Sequence, residues 1–322
     1  MPDNVKKNIW LVGTGPMGIE YCKVLQSLDV PFEVIGRGTE SAKKFESATG
    51  IIPKTGGMAE YLRNYNSIPE YAIVAVSIEQ LASVAIQILE AGVKRVVVEK
   101  PGGLTAKEIE SVAQIAKRKN AEVFVAYNRR FYSSVIKAER IIREDGGVTS
   151  FHFEFTEWSH VIEGLQKAPG VKENWFLGNS THVIDLAFYL GGGMPQKISC
   201  YTSGGLKWFS KASIFAGAGI SENGALFSYQ ANWKAPGRWG IELLTKKHRL
   251  ILKPLEKLQV QHIGSVDTEF VDIEDELDIK FKPGLCCQTK AFLQSNYKSL
   301  LNINEQVKNA EYYKLIECGK KE

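Results

Sequence analysis

Apolar residues in the first 126 positions gather into short runs, separated by longer stretches of helical spacing. Ile9–Val12, Phe32–Ile35, Ala72–Val76, Arg95–Val98 and Val123–Ala126 read as strands. Most are β-branched and continuous rather than alternating, as strands covered on both faces are. Between the last two, Thr105–Lys119 sets Ile109, Val112, Ala113 and Ala116 on one helical face. Strand and helix in alternation predict an α/β fold with a doubly wound parallel sheet. Its ligand site should lie at the carboxyl ends of the strands.

The pattern changes after Phe131. A helix carrying Val135, Ala138, Ile141 and Ile142 stops at Gly146-Gly147, and strand-like runs follow. These are Thr149–Trp158, Lys197–Thr202, Lys211–Ala216, Ala225–Trp233, Trp239–Thr245 and Arg249–Leu252, with a turn at Glu222-Asn223-Gly224. Helices are expected near Ser180–Leu190, Leu285–Leu301 and Asn304–Cys318. The chain therefore divides into an α/β domain over residues 1–126 and an α+β domain, mainly antiparallel, over 127–322. In Ala225–Trp233 one face reads Ala225, Phe227, Tyr229, Ala231 and Trp233, the core side. The other reads Leu226, Ser228, Gln230 and Asn232, polar but uncharged, which predicts a contact with further copies of the chain.

Composition narrows the field. The 322 residues are 44% hydrophobic and 24% charged, ample for two packed cores. A net charge of +4, with scattered basic residues, predicts no nucleic-acid partner. The run Lys246-Lys247-His248-Arg249 reads as a solvated turn, and the six acidic residues of Glu269–Asp278 as a solvated edge. Met1–Asn8 is polar and Ile9–Val12 too short to span a bilayer, so no membrane partner is expected. Five cysteines without Cys-x-x-Cys, and five histidines without His-Glu-x-x-His, predict a reduced, cytoplasmic protein without a metal.

Gly13-Thr14-Gly15-Pro16-Met17-Gly18 fits G-x-G-x-x-G, follows a strand and opens the helix Pro16–Leu28. Gly13 permits the turn, Gly15 lets a pyrophosphate approach the backbone, and Gly18 allows close helix–strand packing. Pro16 suits the first helical turn. The second strand ends in Gly36-Arg37-Gly38-Thr39, with no carboxylate for a ribose hydroxyl before Glu40. Arg37 suits a 2′-phosphate and an adenine face, favouring NADP over NAD. Glu99-Lys100-Pro101 follows the fourth strand, where Pro101 holds Lys100 out of the helical region.

Taken in order, these motifs resemble the glucose–fructose oxidoreductase, inositol dehydrogenase and MocA family along nearly the whole chain. The resemblance rests on Gly13–Gly18, Ala91-Gly92, Val98-Glu99-Lys100-Pro101, Asn128-Arg129-Arg130-Phe131 and Thr181-His182-Val183-Ile184-Asp185-Leu186. It implies a Rossmann domain, then an α+β domain with a large open sheet used in homodimers or homotetramers. It also implies hydride transfer between a nicotinamide cofactor and a sugar or polyol hydroxyl. By position, Lys100 would hold the reacting hydroxyl and His182 would act as acid or base. Ser77 and Glu99 would line the nicotinamide side, and Tyr127, Asn128 and Arg129 would reach the substrate. Asp185 is either the orienting partner of His182 or a buried hydrogen-bonder.

The sequence departs from the family where many relatives carry an aspartate four residues before the histidine. Gly178 stands there, followed by Asn179, which orients a hydroxyl but accepts no proton as a carboxylate does. Glu154, Glu157 and His160 are candidates to replace it. Two other functions stay open: redox-neutral, nicotinamide-dependent glycoside cleavage, and a non-catalytic regulatory cofactor-binding role. Of Trp158, Trp175, Phe176, Trp208, Trp233 and Trp239, most read as sheet core and a few as a sugar-stacking floor.

Overall fold

The computed structural model describes residues 8–65 and 67–319. The polar opening Met1–Asn8 thus lies outside the described residues except for Asn8. Two compact units emerge, the residues through Tyr127 with Lys280–Val307, and Asn128–Ile279 with the residues from Lys308 on.

In the first unit β1 (Ile9–Val12), β2 (Phe32–Ile35), β3 (Tyr71–Val74), β4 (Arg95–Glu99) and β5 (Glu122–Ala126) form a parallel sheet. Its order is β5-β4-β3-β1-β2, reversing direction beside β1 as a doubly wound sheet does. β1 and β3 are buried along their whole length, which is why their apolar runs do not alternate. The helix Ala106–Arg118 is capped by Thr105, whose hydroxyl accepts from Glu108 N at 3.2 Å. It buries the Ile109, Val112, Ala113 and Ala116 stripe that its spacing predicts.

The second unit carries an eight-stranded sheet. Its strands are β6 (Ser150–Glu154), β7 (Pro195–Ser203), β8 (Ile214–Ser221), β9 (Leu226–Asn232), β10 (Gly240–Leu244), β11 (His248–Leu252), β12 (Gln259–His262) and β13 (Glu269–Phe270). All pairs are antiparallel except β6 with β9. One face is aromatic core. Phe151 stacks on Phe227 at 5.3 Å and Phe153 on Tyr229 at 5.4 Å, and Phe188 of the helix Thr181–Leu190 meets Phe151, Phe153 and Phe227 edge-on. On the opposite face of β9, Leu226, Ser228 and Gln230 are exposed, as the alternation predicts.

The expected strand Lys211–Ala216 is displaced to Ile214–Ser221. Gly217 and Gly219 read locally as breakers, yet both sit mid-strand for a packing reason. A Cβ at Gly217 would lie 2.4 Å from the Tyr229 hydroxyl, and one at Gly219 2.6 Å from the Phe227 ring. The expected helix Leu285–Leu301 stops at Leu293, followed by Ser295 at φ +58°. Leu301 instead starts β14 (Leu301–Asn302), antiparallel to β5 at the edge of the first sheet. Phe292 packs on Tyr71 and Phe124, and Tyr297 on Phe124. Residues 280–307 thus complete the first unit, where a linear division at 126 assigns them to the second. Among the described residues, no helix is long and apolar enough to cross a membrane.

Candidate functional site

The glycine loop has the constraints of a dinucleotide cradle. Gly13 sits at φ +125°, where an added Cβ would lie 2.3 Å from the Ala75 carbonyl oxygen. A Cβ on Gly18 would fall 2.0 Å from the Gly13 carbonyl. At Gly15, by contrast, nothing lies within 4 Å of the missing Cβ, so a ligand has room to reach the backbone. The helix Pro16–Ser27 begins at this point, with its proline in the first turn and its first N–H groups outside the helical ladder. Gly13, Thr14 and Gly15 border a cavity of about 440 Å³, with Arg37 and Gly38 after β2 and Ser77 after β3. Pro16, Met17, Gly18 and Glu99 are not among the described residues lining the cavity.

Part of this wall comes from residues outside the sequence motifs. Ser41, Gly56 and Gly57 also line the cavity. The Thr14 hydroxyl donates to Ser41 Oγ, which donates to the Gly38 carbonyl, both at 3.0 Å. Gly57 N donates to the Gly36 carbonyl at 2.8 Å, so this loop closes over the end of β2. Paired glycines signal a bend, but nothing in the sequence says which loop the bend meets.

The Glu-Lys-Pro turn is gripped from the C-terminal segment of the same unit. Tyr21 donates to Glu99 Oε1 at 3.0 Å and accepts from Gln288 Nε2 at 3.0 Å. Burial pushes the Glu99 carboxyl above its ordinary value, opposed by Lys100 and the Tyr21 hydrogen bond. Burial and then Glu99 hold the Tyr21 phenol well above its own, so it stays a donor. The Lys100–Pro101 peptide is cis, and Gly102 N donates to the Glu99 carbonyl at 3.0 Å. Gln306 Nε2 donates to the Pro101 carbonyl at 3.0 Å and to the Tyr127 hydroxyl at 3.1 Å. Lys100, half-buried, follows directly on β4. Neither Gln288 nor Gln306 carries a sequence signal for this role.

In the second unit His182 lies buried on the helix Thr181–Leu190, its ring centroid 6.0 Å from that of Trp239. Asp185 does not orient it. Both Asp185 oxygens accept from Arg130, from Nε at 2.8 Å and Nη2 at 2.6 Å. Burial alone would lower the Arg130 guanidinium, and Asp185 more than offsets this and raises it. Arg130 also lies over the Tyr189 ring at 4.6 Å.

Gly178 and Asn179 fall in a π-helical turn, Phe176–Ser180, just before His182. A carboxylate stands beside Asn179 after all. Glu157, buried past the end of β6, accepts from Asn179 Nδ2 at 3.0 and 3.1 Å and from Ser180 Oγ at 2.8 Å. Arg238 Nη1 is 3.6 Å away from it. Of the other candidates, Glu154 is paired with Lys253 at 2.8 Å and His160 is exposed. Arg129 lies over Trp239 at 4.8 Å and Tyr132 at 5.9 Å, while Arg238 lies over Trp239 at 4.5 Å and Trp158 at 4.7 Å. Burial pulls the Arg129 guanidinium below its ordinary value. Tyr127 closes the first unit and Asn128 opens the second, both buried. Trp233 and Phe176 are core, as expected, and Trp239 is the aromatic residue beside His182. Among the described residues, no group of three or more His, Cys, Asp or Glu could hold a metal ion.

Compared with known proteins, residues 7–127 match the GFO/IDH/MocA family model, an oxidoreductase family with an NAD-binding Rossmann fold. These residues belong to that family. No curated protein matches the chain by sequence. Solved structures match over nearly the whole length. Levoglucosan dehydrogenase, in complex with NADH and levoglucosan, is similar at 18% identity and TM-score 0.76, over 96% of this chain and 95% of that one. UDP-N-acetylglucosamine 3-dehydrogenase from Acidithiobacillus ferrooxidans is similar at 14% identity and TM-score 0.73, over 96% of each. An NAD-binding oxidoreductase from Klebsiella pneumoniae is similar at 16% and 0.75, over 97% and 96%. Such identities carry the fold alone. The GFO/IDH/MocA assignment therefore rests on the Rossmann unit, and the second unit shares the architecture of these oxidoreductases.

Proposed function

We propose that the chain is a nicotinamide-dependent dehydrogenase or reductase acting on a CH–OH group of a sugar, sugar derivative or polyol. The observation that carries this reading is the Glu99-Lys100-Pro101 turn, fixed at the carboxyl end of β4 in a unit that also holds the dinucleotide cradle. A nicotinamide bound by the chain supplies the hydride acceptor or donor. Lys100 holds the reacting hydroxyl and, in the oxidative direction, receives its proton. His182 serves as the second acid or base. Asn179, oriented by Glu157, holds a further hydroxyl, and Tyr127, Asn128 and Arg129 contribute to substrate binding. A screen of sugars, nucleotide sugars and polyols for a net change in nicotinamide absorbance tests the reading. A cofactor-binding protein inert towards the whole panel would contradict it, as would glycoside cleavage without net redox change.

NADP is the favoured cofactor. Arg37 borders the cavity, and no carboxylate is among the described residues that line it. NADPH should bind more tightly than NADH, and Arg37→Ala should remove most of a gap on the order of 10- to 100-fold. Calorimetric titration of both cofactors checks this, and equal wild-type affinities would overturn it.

The open sheet face supports a homodimer or homotetramer. Leu226 is 59% and Tyr201 62% exposed, and Ser228, Gln230, Ala216 and Ala218 between them carry no charge. An obligate contact there would bury roughly 2,000 Å² or more. Light scattering should give a multiple of 35.8 kDa, and Ser228→Glu with Gln230→Lys should reduce it. A monomeric wild type would refute the claim.

A further inference from the structure

Three side chains surround the Trp239 ring in the second unit. They are His182 at 6.0 Å, Arg129 at 4.8 Å and Arg238 at 4.5 Å. Two of the groups here are donors without an acceptor. The Nε atom of Arg129 and the Nε1 atom of Trp239 are buried, and neither has a hydrogen-bond partner among the described residues. Neither group can accept a hydrogen bond, so only an acceptor can satisfy them.

The charges nearby are unevenly matched. Arg238 is opposed by Glu157 at 3.6 Å, and Glu157 is already engaged by Asn179 and Ser180. Arg129 has no carboxylate oxygen within 4 Å among the described residues. The acidic groups that act on it from further away are Glu157, already paired, and Glu256, exposed to solvent. Its stacking on Trp239 and Tyr132 fixes the guanidinium plane but brings no counter-charge. Arg129 is half-buried, and a partly desolvated cation without a counter-charge carries a cost that a ligand anion would relieve.

We propose that Arg129 and Trp239, with the half-exposed Arg238 beside them, receive the anionic group of an acidic sugar derivative. The substrate of the reaction proposed above is then a sugar bearing a carboxylate or phosphate rather than a neutral sugar or polyol. The inference rests on that reading for the sugar, and on the donors around Trp239 for the charge. A planar guanidinium matches either oxyanion with paired hydrogen bonds. Trp239 adds a further donor and an apolar face for the ring.

Calorimetric titration of the full chain, saturated with NADP⁺, tests the charge preference. The probes are D-glucuronate, D-galacturonate and D-glucose 6-phosphate, against D-glucose and D-galactose. At least one acid should bind on the order of 10- to 100-fold more tightly than its neutral parent. The arm that shows the preference tells carboxylate from phosphate. Arg129→Met should bring the ratio close to one, and Arg129→Lys should retain part of it as a point charge. Equal binding of acid and neutral sugar, or binding of none of the acids, overturns the proposal on wild-type protein alone. It is also overturned if the preference survives in Arg129→Met, or if that variant loses NADP⁺ affinity instead. Hydride transfer with neutral sugars but no charge preference would sink this inference and leave the dehydrogenase reading standing. Arg129-dependent binding of acids without hydride transfer to any sugar would do the reverse.

Discussion

Replacing Lys100 by methionine should lower turnover by a factor of about 10²–10⁴ while leaving NADPH affinity nearly unchanged. Methionine keeps the length of the side chain but removes three donors and the charge. The group proposed to hold the reacting hydroxyl and receive its proton is then gone. Cofactor affinity should survive because Lys100 is not among the residues bordering the cavity at the glycine loop. The grip on the turn should survive as well, since Gln306 bonds the Pro101 carbonyl and Tyr21 bonds the Glu99 carboxylate. His182→Asn should fall in the same range if it is the second acid or base. Steady-state kinetics beside NADPH titration separates the two effects. A Lys100→Met protein with near wild-type turnover would mean that the chemistry lies elsewhere.

Asp185→Asn should destabilise the second unit by about 3–5 kcal/mol. The pair it breaks is buried and doubly hydrogen-bonded, with side-chain exposures of 10% for Arg130 and 1% for Asp185. Without the carboxylate, Arg130 keeps its charge in a desolvated place over the Tyr189 ring of the helix Thr181–Leu190. The melting temperature should fall on the order of 10 °C. Adding Arg130→Met should recover part of the loss, because the uncompensated charge is then gone. Thermal denaturation of the two variants decides it. A single variant that melts like wild type would show that the pair contributes little.

What the sequence made legible follows the physics of each signal. The glycine loop was readable because local backbone geometry demands that residue type: Gly13 and Gly18 admit no Cβ. The parallel sheet was readable because strands such as β1 are buried on both faces. The core and open faces of β9 were readable because its side chains alternate. Contacts set by distant packing were not. Gln288 and Gln306 reach Tyr21 and the Pro101 carbonyl across 267 and 205 positions of sequence, with no periodicity to mark them. Gly217 and Gly219 look like breakers until the Tyr229 and Phe227 rings lie over them. The helix expected over Leu285–Leu301 failed because pairing with β5 outweighs helical propensity at Leu301. Glu157 could be named as a substitute carboxylate but not chosen over Glu154, because only the fold brings it to Asn179.

The most direct test of hydride chemistry follows the hydrogen itself. The full chain is incubated with NADPH deuterated at the transferable C4 position and the keto or aldehyde forms of sugars, sugar acids and polyols. The expected result is an alcohol product one mass unit heavier than with unlabelled cofactor, formed in step with the loss of NADPH absorbance. No label in any product, with NADPH bound but unconsumed across the panel, would contradict it.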